Sequence, residues 1–331
     1  MKVLLVGSRA GSTDEGMRKL FSRFVQEFQD EVKVLPVEPR ELPRRFGEIR
    51  RFCPDVMHYM AGPSTRGLLV FLAVGALLRR ASTVVSLIHP SVGQLGRFML
   101  ARAPIDLILG APSTLSKLGV PRSRSECFSE SGVDTSTFRP IPSERSRADI
   151  RRRLGLPSEG PLLLHVGHIK EGRNLDPLTK LSRGGFAVAI VGSSRTESEP
   201  HVRSELEAAG CVVTTDFQER IEEWYQAADC YVFPTVDPLN AIQLPLSILE
   251  ALACGVPVAS TAFGAVPDYL GSLSGVRIVN GTDVATLRTA VEDLLSAGRV
   301  SGRAVASFDW STRADKLLGI YRSLLLLRSE T

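Results

Sequence analysis

Short apolar runs alternate along the chain with longer stretches in which apolar positions recur every three or four residues. The first pattern is that of buried strands, the second that of helices with one apolar face. In the first half it predicts strands at residues 2–6, 31–36, 56–59, 83–88 and 107–109, with helices at 16–28, 43–52, 65–79 and 95–101. Such alternation reads as βαβ units on a parallel sheet. Pro140 and Pro142 then mark an extended linker over 138–143. A charged helix at 145–154 follows, and a second series begins. Its strands are expected at 162–166, 187–191, 212–214, 230–234, 258–260 and 276–279, and its helices at 201–209, 221–227, 246–254 and 284–297. A last amphipathic helix, 311–327, is of the kind that packs back across a two-lobed protein. The expectation is an α/β chain with Rossmann-like domains at 1–142 and 143–310 and a helical tail at 311–331. A length of 331 residues agrees with two domains.

Composition changes this picture little: 44% hydrophobic and 23% charged residues are ordinary for a globular protein. Charge changes it more. Residues 1–145 carry 21 Lys and Arg against 14 Asp and Glu, a net +7, and the remainder 19 against 22, a net −3. A basic first half suits an anionic acceptor or an anionic membrane surface, and equally a solvated arginine-rich face. The arginines are not interleaved with aromatics, so nucleic acid is not the expected partner. The longest apolar run, 68–78, is shorter than the ~20 residues of a membrane span and fits a buried helix or one touching a membrane surface. Cys53, Cys127, Cys211, Cys230 and Cys254 are odd in number and lack CxxC spacing, which points to a reducing compartment and away from a disulfide framework or a zinc site. Residues 1–7 read as a first strand, not as a signal peptide. The expected location is the cytoplasm, with peripheral contact at the inner face of the membrane allowed by the basic half. The sequence carries no signal of oligomeric state.

The densest chemical signal is the run 243–258. Pro245 suits a first helical turn, Gly255 the position just past the helix end, and Pro257 the stop. One carboxylate, Glu250, lies among Ile248, Leu249, Ala251, Leu252 and Ala253. A lone glutamate on a helix ordinarily faces solvent, but these neighbours leave little polar face. A buried carboxylate needs donors, and the vicinal hydroxyls of a ribose supply two. The amides near Leu244, Leu246 and Ser247, at the helix start, suit a diphosphate.

The run Leu249-Glu250-Ala251-Leu252-Ala253-Cys254-Gly255-Val256-Pro257-Val258 resembles the retaining GT-B glycosyltransferases of family 4, the glycogen-synthase-like class. The strand Ala228-Asp229-Cys230-Tyr231-Val232-Phe233-Pro234 is similar to the family's lead into the donor loop. The loop 7–16, Pro54-Asp55-Val56-Met57-His58, Gly132-Val133-Asp134 with Phe138 and Pro140, and Phe308-Asp309-Trp310 with Tyr321 fall at family-like places, so the resemblance covers nearly the whole chain. It implies two domains with parallel sheets facing across a cleft. It also implies transfer from a UDP- or GDP-linked sugar to a hydroxyl acceptor (saccharide, lipid or small molecule) with retention, and neither a metal nor another cofactor.

By the same resemblance Glu250 holds the ribose. The family's first glutamate, eight positions earlier, falls on Ile242, which leaves Asn240 or Gln243 to serve the sugar. In Gly167-His168-Ile169-Lys170-Glu171-Gly172-Arg173, His168 and Arg173 take the places of the family's basic pair against the diphosphate, with Lys170 as a further cation. His89 would face the transferred sugar or acceptor, and His58 stands behind it as a weaker candidate. Gly11, in the loop 7–12, and Gly192, behind the strand at 187–191, complete the donor set. The loop does not match GxGxxG, so a nicotinamide cofactor is not expected. No HExxH, DxD or Ser–His–Asp pattern stands out. The departures at Ile242 and His168 keep a second reading open, a catalytically inactive GT-B-like protein that binds a nucleotide or a partner. A GT-B epimerase would need flanking acid and base residues, and no such set is evident.

Overall fold

The computed structural model describes residues 1–8, 16–62, 64–89, 93–194, 196–281 and 283–329. By its contacts the chain divides into two compact units, the first made of Met1–Gly132, Ala241–Leu244 and Trp310–Thr331, the second of Val133–Asn240 and Pro245–Asp309.

The first unit runs β1 (Lys2–Val6), α1 (Gly16–Phe28), β2 (Lys33–Val37), α2 (Phe46–Phe52), β3 (Val56–Tyr59), α3 (Thr65–Leu77), β4 (Ser82–Ser86), α4 (Gln94–Arg102), β5 (Leu107–Gly110), α5 (Pro112–Lys117) and β6 (Ser125–Cys127). Its six strands are parallel in the order β2-β1-β3-β4-β5-β6. Val3, Leu4, Leu5 and Val6 are fully buried, as a strand covered on both faces requires. Pro36, which has no N–H for a ladder, stands in the edge strand β2.

The second unit runs α6 (Glu144–Arg153), β7 (Leu162–Val166), α7 (Asp176–Arg183), β8 (Ala187–Val191), α8 (Pro200–Ala208), β9 (Val212–Thr214), α9 (Ile221–Ala227), β10 (Cys230–Phe233), α10 (Leu246–Ala253), β11 (Val258–Thr261), α11 (Val266–Leu270), β12 (Val276–Val279) and α12 (Val284–Ala297). Its parallel order is β12-β11-β10-β7-β8-β9. Ser143 caps α6 by accepting from the Ser146 amide, and Asp283 caps α12.

The terminal helix α13 (Trp310–Ser329) groups with the first unit. Its buried positions include Trp310, Ala314, Leu317, Leu318 and Tyr321, which recur at helical spacing, and it lies against α1 through Phe24–Trp310 and Phe28–Tyr321 edge contacts. Residues 133–142, placed by the two prolines at the end of the first half, group instead with the second unit, where Val133 and Thr135 bond to Phe308 and Asp309. Four elements have no counterpart in the expected pattern. They are the helices α5, α7 and α11, each of eight residues or fewer, and the three-residue edge strand β6 with its polar sequence Ser-Glu-Cys. Among the described residues no helix is long and apolar enough to cross a membrane.

Candidate functional site

In the second sheet β8 and β9 lie to one side of β7 and β10 to β12 to the other, so the strand order reverses between β7 and β10. Open parallel sheets bind ligands beyond the carboxyl ends of their strands at such a reversal. The chain following β7, the end of β10 and the helix α10 meet there.

Helix α10 starts behind Pro245, so the amides of Leu246 and Ser247 belong to its first turn, where no intrahelical acceptor exists. It ends in the turn foreseen at Gly255. That residue has φ 77°, its N–H bonds to the Leu252 carbonyl, and the Val256 N–H reaches Ala251. Every position of α10 except Ser247 is buried, and Glu250 is only 6% exposed. The solvent-facing reading of Glu250 is therefore excluded. The Tyr225 hydroxyl, from α9, donates to Glu250 Oε2 at 2.8 Å. Burial, and then the charge of Glu250, hold the Tyr225 phenol well above its ordinary pKa, so it stays a proton donor. The Tyr231 hydroxyl lies 2.8 Å from Ser247 Oγ and 3.2 Å from the Val166 carbonyl, tying α10 to the end of β7.

Arg173 closes the short 3-10 turn Glu171–Arg173 and is 9% exposed. A Cβ on Gly167 would lie 3.1 Å from His165 Nε2 and 3.2 Å from Arg173 Nη1, so imidazole and guanidinium both crowd this glycine. Burial lowers the Arg173 pKa from its ordinary value and Tyr231 opposes the shift; a guanidinium keeps its charge under such pressure. Sequence reasoning missed His165, although a histidine inside an aliphatic strand two residues before Gly167 was the available signal. His165 is fully buried, and its Nδ1 lies 2.9 Å from the Val232 carbonyl, which can only accept. That partner puts the proton on Nδ1 and leaves Nε2 an acceptor, with no hydrogen-bond partner among the described residues. Burial pulls the His165 pKa to about 4, with the charge of Arg173 adding to the effect. His168 follows Gly167 directly and is partly buried.

The other nominated residues are placed as follows. Asn240 ends the turn Pro238–Asn240, donates to Asp237 Oδ2 at 2.7 Å, and fills the space that a Cβ on Gly172 would need. It thus stands beside the turn of Arg173. Gly192 spends its N–H on the Thr214 carbonyl at 2.7 Å, and a Cβ there would meet Ile169 at 2.9 Å, so packing accounts for this glycine. Gln243 and Leu244 belong to the first unit. The Gln243 N–H donates to the Ile88 carbonyl at 2.8 Å, and the Leu244 carbonyl accepts from the Ser131 hydroxyl at 2.6 Å. Their neighbour Ile242 is 9% exposed, with Cδ1 3.4 Å from where a Cβ on Gly16 would lie. His89 is partly buried, three residues beyond the end of β4. Gly11 lies outside the described residues.

His58 does not face solvent at all. It is buried in β3, bonded through Nδ1 to the Tyr321 hydroxyl and through Nε2 to Ser86 Oγ, which in turn donates to Glu130. Burial lowers the His58 pKa to about 3 and raises that of Glu130 to about 7. This network ties α13 to β3 and β4, and Glu130 had no signal in the sequence. Among the described residues one group with metal-ligand proximity occurs, Glu171, Glu199 and His201, whose ligand atoms lie within 4.8 Å of one another. Its members are hydrogen-bonded together on the surface, His201 Nε2 to Glu171 Oε1 at 3.0 Å and the Glu171 N–H to Glu199 Oε2 at 2.8 Å. A groove of about 850 Å³ lies elsewhere on the second unit, between residues 136–153 and 220–226, and contains none of the nominated residues.

Residues 163–297 match the family model described as glycosyl transferases group 1. The D-inositol 3-phosphate glycosyltransferase of Thermobispora bispora is 33% identical over 222 residues, 59% of this chain and 49% of that protein. The GDP-mannose-dependent alpha-(1-6)-phosphatidylinositol monomannoside mannosyltransferase of Mycolicibacterium smegmatis is 32% identical over 206 residues, 56% of this chain and 53% of that protein. The chain thus spans about half the length of the curated relatives it matches. Among solved structures, sucrose-phosphate synthase from Thermosynechococcus elongatus aligns with 98% of this chain and 99% of its own at a TM-score of 0.73 and 16% identity. Anabaena Alr3699/HepE in complex with UDP-glucose aligns with 98% of this chain and 100% of its own at 0.75 and 15%. The chain therefore has the GT-B fold, and its residues 163–297 are similar to the segment that the glycosyl transferases group 1 model describes.

Proposed function

We propose that the protein transfers a sugar from a nucleotide-diphosphate donor to a hydroxyl acceptor, with retention at the anomeric carbon and without a metal ion. The observation that carries this reading is the buried Glu250, held by Tyr225 at the strand-order reversal where Arg173 also lies. In this reading Glu250 accepts from the two ribose hydroxyls. The diphosphate meets Arg173, His168 and the first amides of α10, which stabilise the negative charge that develops as the nucleotide leaves. Arginine suits that task because its fork matches two phosphate oxygens at once. His168 contributes charge when protonated, and a diphosphate beside it favours that form. Attack by the acceptor on the face the nucleotide leaves requires no protein nucleophile.

UDP- or GDP-linked sugars are the proposed donors and a saccharide, lipid or small molecule the acceptor class. Both relatives named above are glycosyltransferases, and one is named for GDP-mannose. The exposed free thiols of Cys53 and Cys127 support a cytoplasmic site of action. The test is a panel of nucleotide sugars, read first by thermal shift and then by product detection with mixed hydroxyl acceptors. Donor-dependent stabilisation together with release of the nucleoside diphosphate is expected. Nucleotide binding without turnover of any donor would overturn the transferase reading in favour of a binding protein.

A further inference from the structure

The outward side of α3 departs from what a surface helix ordinarily shows. Its inner side buries Leu68, Phe71 and Val74 in the first unit's core. The opposite side would normally be polar. Here no polar side chain occurs between Arg66 and Arg79, and the exposed positions include Leu69 at 50% and Leu77 at 69%. The neighbouring helix α4 packs against α3 and adds Leu95 and Phe98, more than half exposed at helical spacing, among the exposed Arg97 and Arg102. Single exposed apolar residues need no explanation, but exposed large apolar side chains gathered on two adjacent helices form a patch that does.

The charge around the patch is one-sided. From residue 56 to residue 105 the chain contains five arginines, Arg66, Arg79, Arg80, Arg97 and Arg102, and no Asp or Glu. All five are exposed, and none forms an ion pair among the described residues. The Arg102 guanidinium lies 5.0 Å from the centre of the exposed Phe98 ring, so cation and aromatic ring are presented together. Helix α3 has 13 residues, too few to span a bilayer, but an element that lies in the interface needs only an apolar side and a cationic border.

We infer that the α3–α4 side of the first unit docks on an anionic lipid surface, with Leu69, Leu77, Leu95 and Phe98 entering the headgroup boundary and the arginines meeting lipid phosphates. Charge complementarity selects this occupant. A protein partner of mixed charge would leave five unpaired cations facing it, and a second copy of the same patch would set arginine against arginine. The inference does not depend on the donor chemistry proposed above.

Sedimentation of the full chain with vesicles tests it. Binding is expected to vesicles containing phosphatidylglycerol and not to phosphatidylcholine alone, and it should weaken as salt rises. Phe98→Ser and Leu77→Ser should each reduce the partition coefficient on the order of ten-fold, and Arg97→Gln on the order of five-fold. These side chains are exposed, so the melting temperature should hold. Phe217→Ser, at a residue 67% exposed on the second unit, should leave partition unchanged. Three results would overturn the inference: no binding to anionic vesicles at low salt, equal loss in the Phe217 variant, or self-association in solution that the Leu77 and Phe98 variants abolish.

Discussion

Replacing Glu250 by alanine is the sharpest test of the nucleotide pocket. The carboxylate is buried on a helix whose other positions, Ser247 apart, are apolar, and one of its oxygens takes the Tyr225 hydroxyl at 2.8 Å. Glu250→Ala should therefore have two separable effects. Without nucleotide it leaves the Tyr225 hydroxyl buried beside a hole, which costs about 1–3 kcal/mol of stability. With nucleotide it removes the proposed acceptor of the ribose hydroxyls, a loss of about 1–3 kcal/mol in binding, or roughly five- to hundred-fold in Kd. Tyr225→Phe separates the two. It keeps the carboxylate and removes only the bond that orients it, so its affinity loss should be the smaller one. The assay is calorimetric titration with UDP and with GDP, beside a thermal melt of each nucleotide-free variant. A folded Glu250→Ala protein with unchanged affinity for both nucleotides would refute the ribose role. A lowered melting temperature at unchanged affinity would show that Glu250 serves only to satisfy Tyr225.

Arg173→Gln should lower turnover by about a hundred-fold, because it removes charge that matters most as the nucleotide leaves; Arg173→Lys should recover part of it, and steady-state kinetics on the folded variants decides. Glu130 gives a pH prediction. Its folded pKa, raised to about 7, lies above the unfolded 4.5, so the stability it contributes is full below pH 4.5 and lost as pH rises through 7. His58 and His165, lowered from 6.5 to about 3 and about 4, act oppositely: their contribution is full above pH 6.5 and lost as pH falls toward those values. Glu130→Gln should thus gain stability over the parent at pH 8 relative to pH 5, by up to about 3 kcal/mol. Denaturant melts at the two pH values measure this, and parallel curves would refute it. Gly132→Ala should destabilise by about 1–3 kcal/mol, since its Cβ would lie 2.6 Å from the rigid Trp310 ring; an unchanged melting temperature would contradict that packing.

What could be read from the sequence follows from which interactions are local. The end of α10 was legible because Gly255 and Pro257 act within one turn, and the burial of Glu250 because its neighbours on the helix are all apolar. Tyr225 was not, since its bond to Glu250 links positions 25 apart and no periodic pattern encodes it. His165 was passed over although its place in an aliphatic strand was visible, because its nearness to Arg173 across Gly167 appears only in the folded chain. The network of His58, Ser86, Glu130 and Tyr321 likewise joins β3, β4, α13 and the chain after β6, so a sequence that offered His58 and Tyr321 singly did not show them bonded together. Short elements failed for another reason. Helix α7 offers only Leu178 and Leu181 as aliphatic positions and β6 offers none, so neither carries the apolar run that marks the other elements, and both are set by packing on the completed sheet.

The departure at Ile242 bears on how the sugar could be held. Ile242 is a nearly buried apolar side chain of the first unit, beside Gly16, so it does not stand in for a carboxylate that solvent or substrate would meet. Of the two proposed replacements, Asn240 already gives one amide proton to Asp237 and rests against Gly172, which fixes its orientation. Gln243 commits only its backbone N–H, to Ile88, in the bonds described above, and its side chain is partly exposed. A glutamine both donates and accepts, whereas a carboxylate only accepts. If Gln243 takes the sugar, hydroxyls that a carboxylate would hold only as donors can also be held as acceptors. Preference among donor sugars should then shift in Gln243→Glu, while nucleoside diphosphate affinity, proposed above to rest on Glu250, stays constant. A loss of nucleotide affinity in that variant would contradict the constancy expected if Glu250 holds the nucleotide, and the role argued for Glu250 would fall with it.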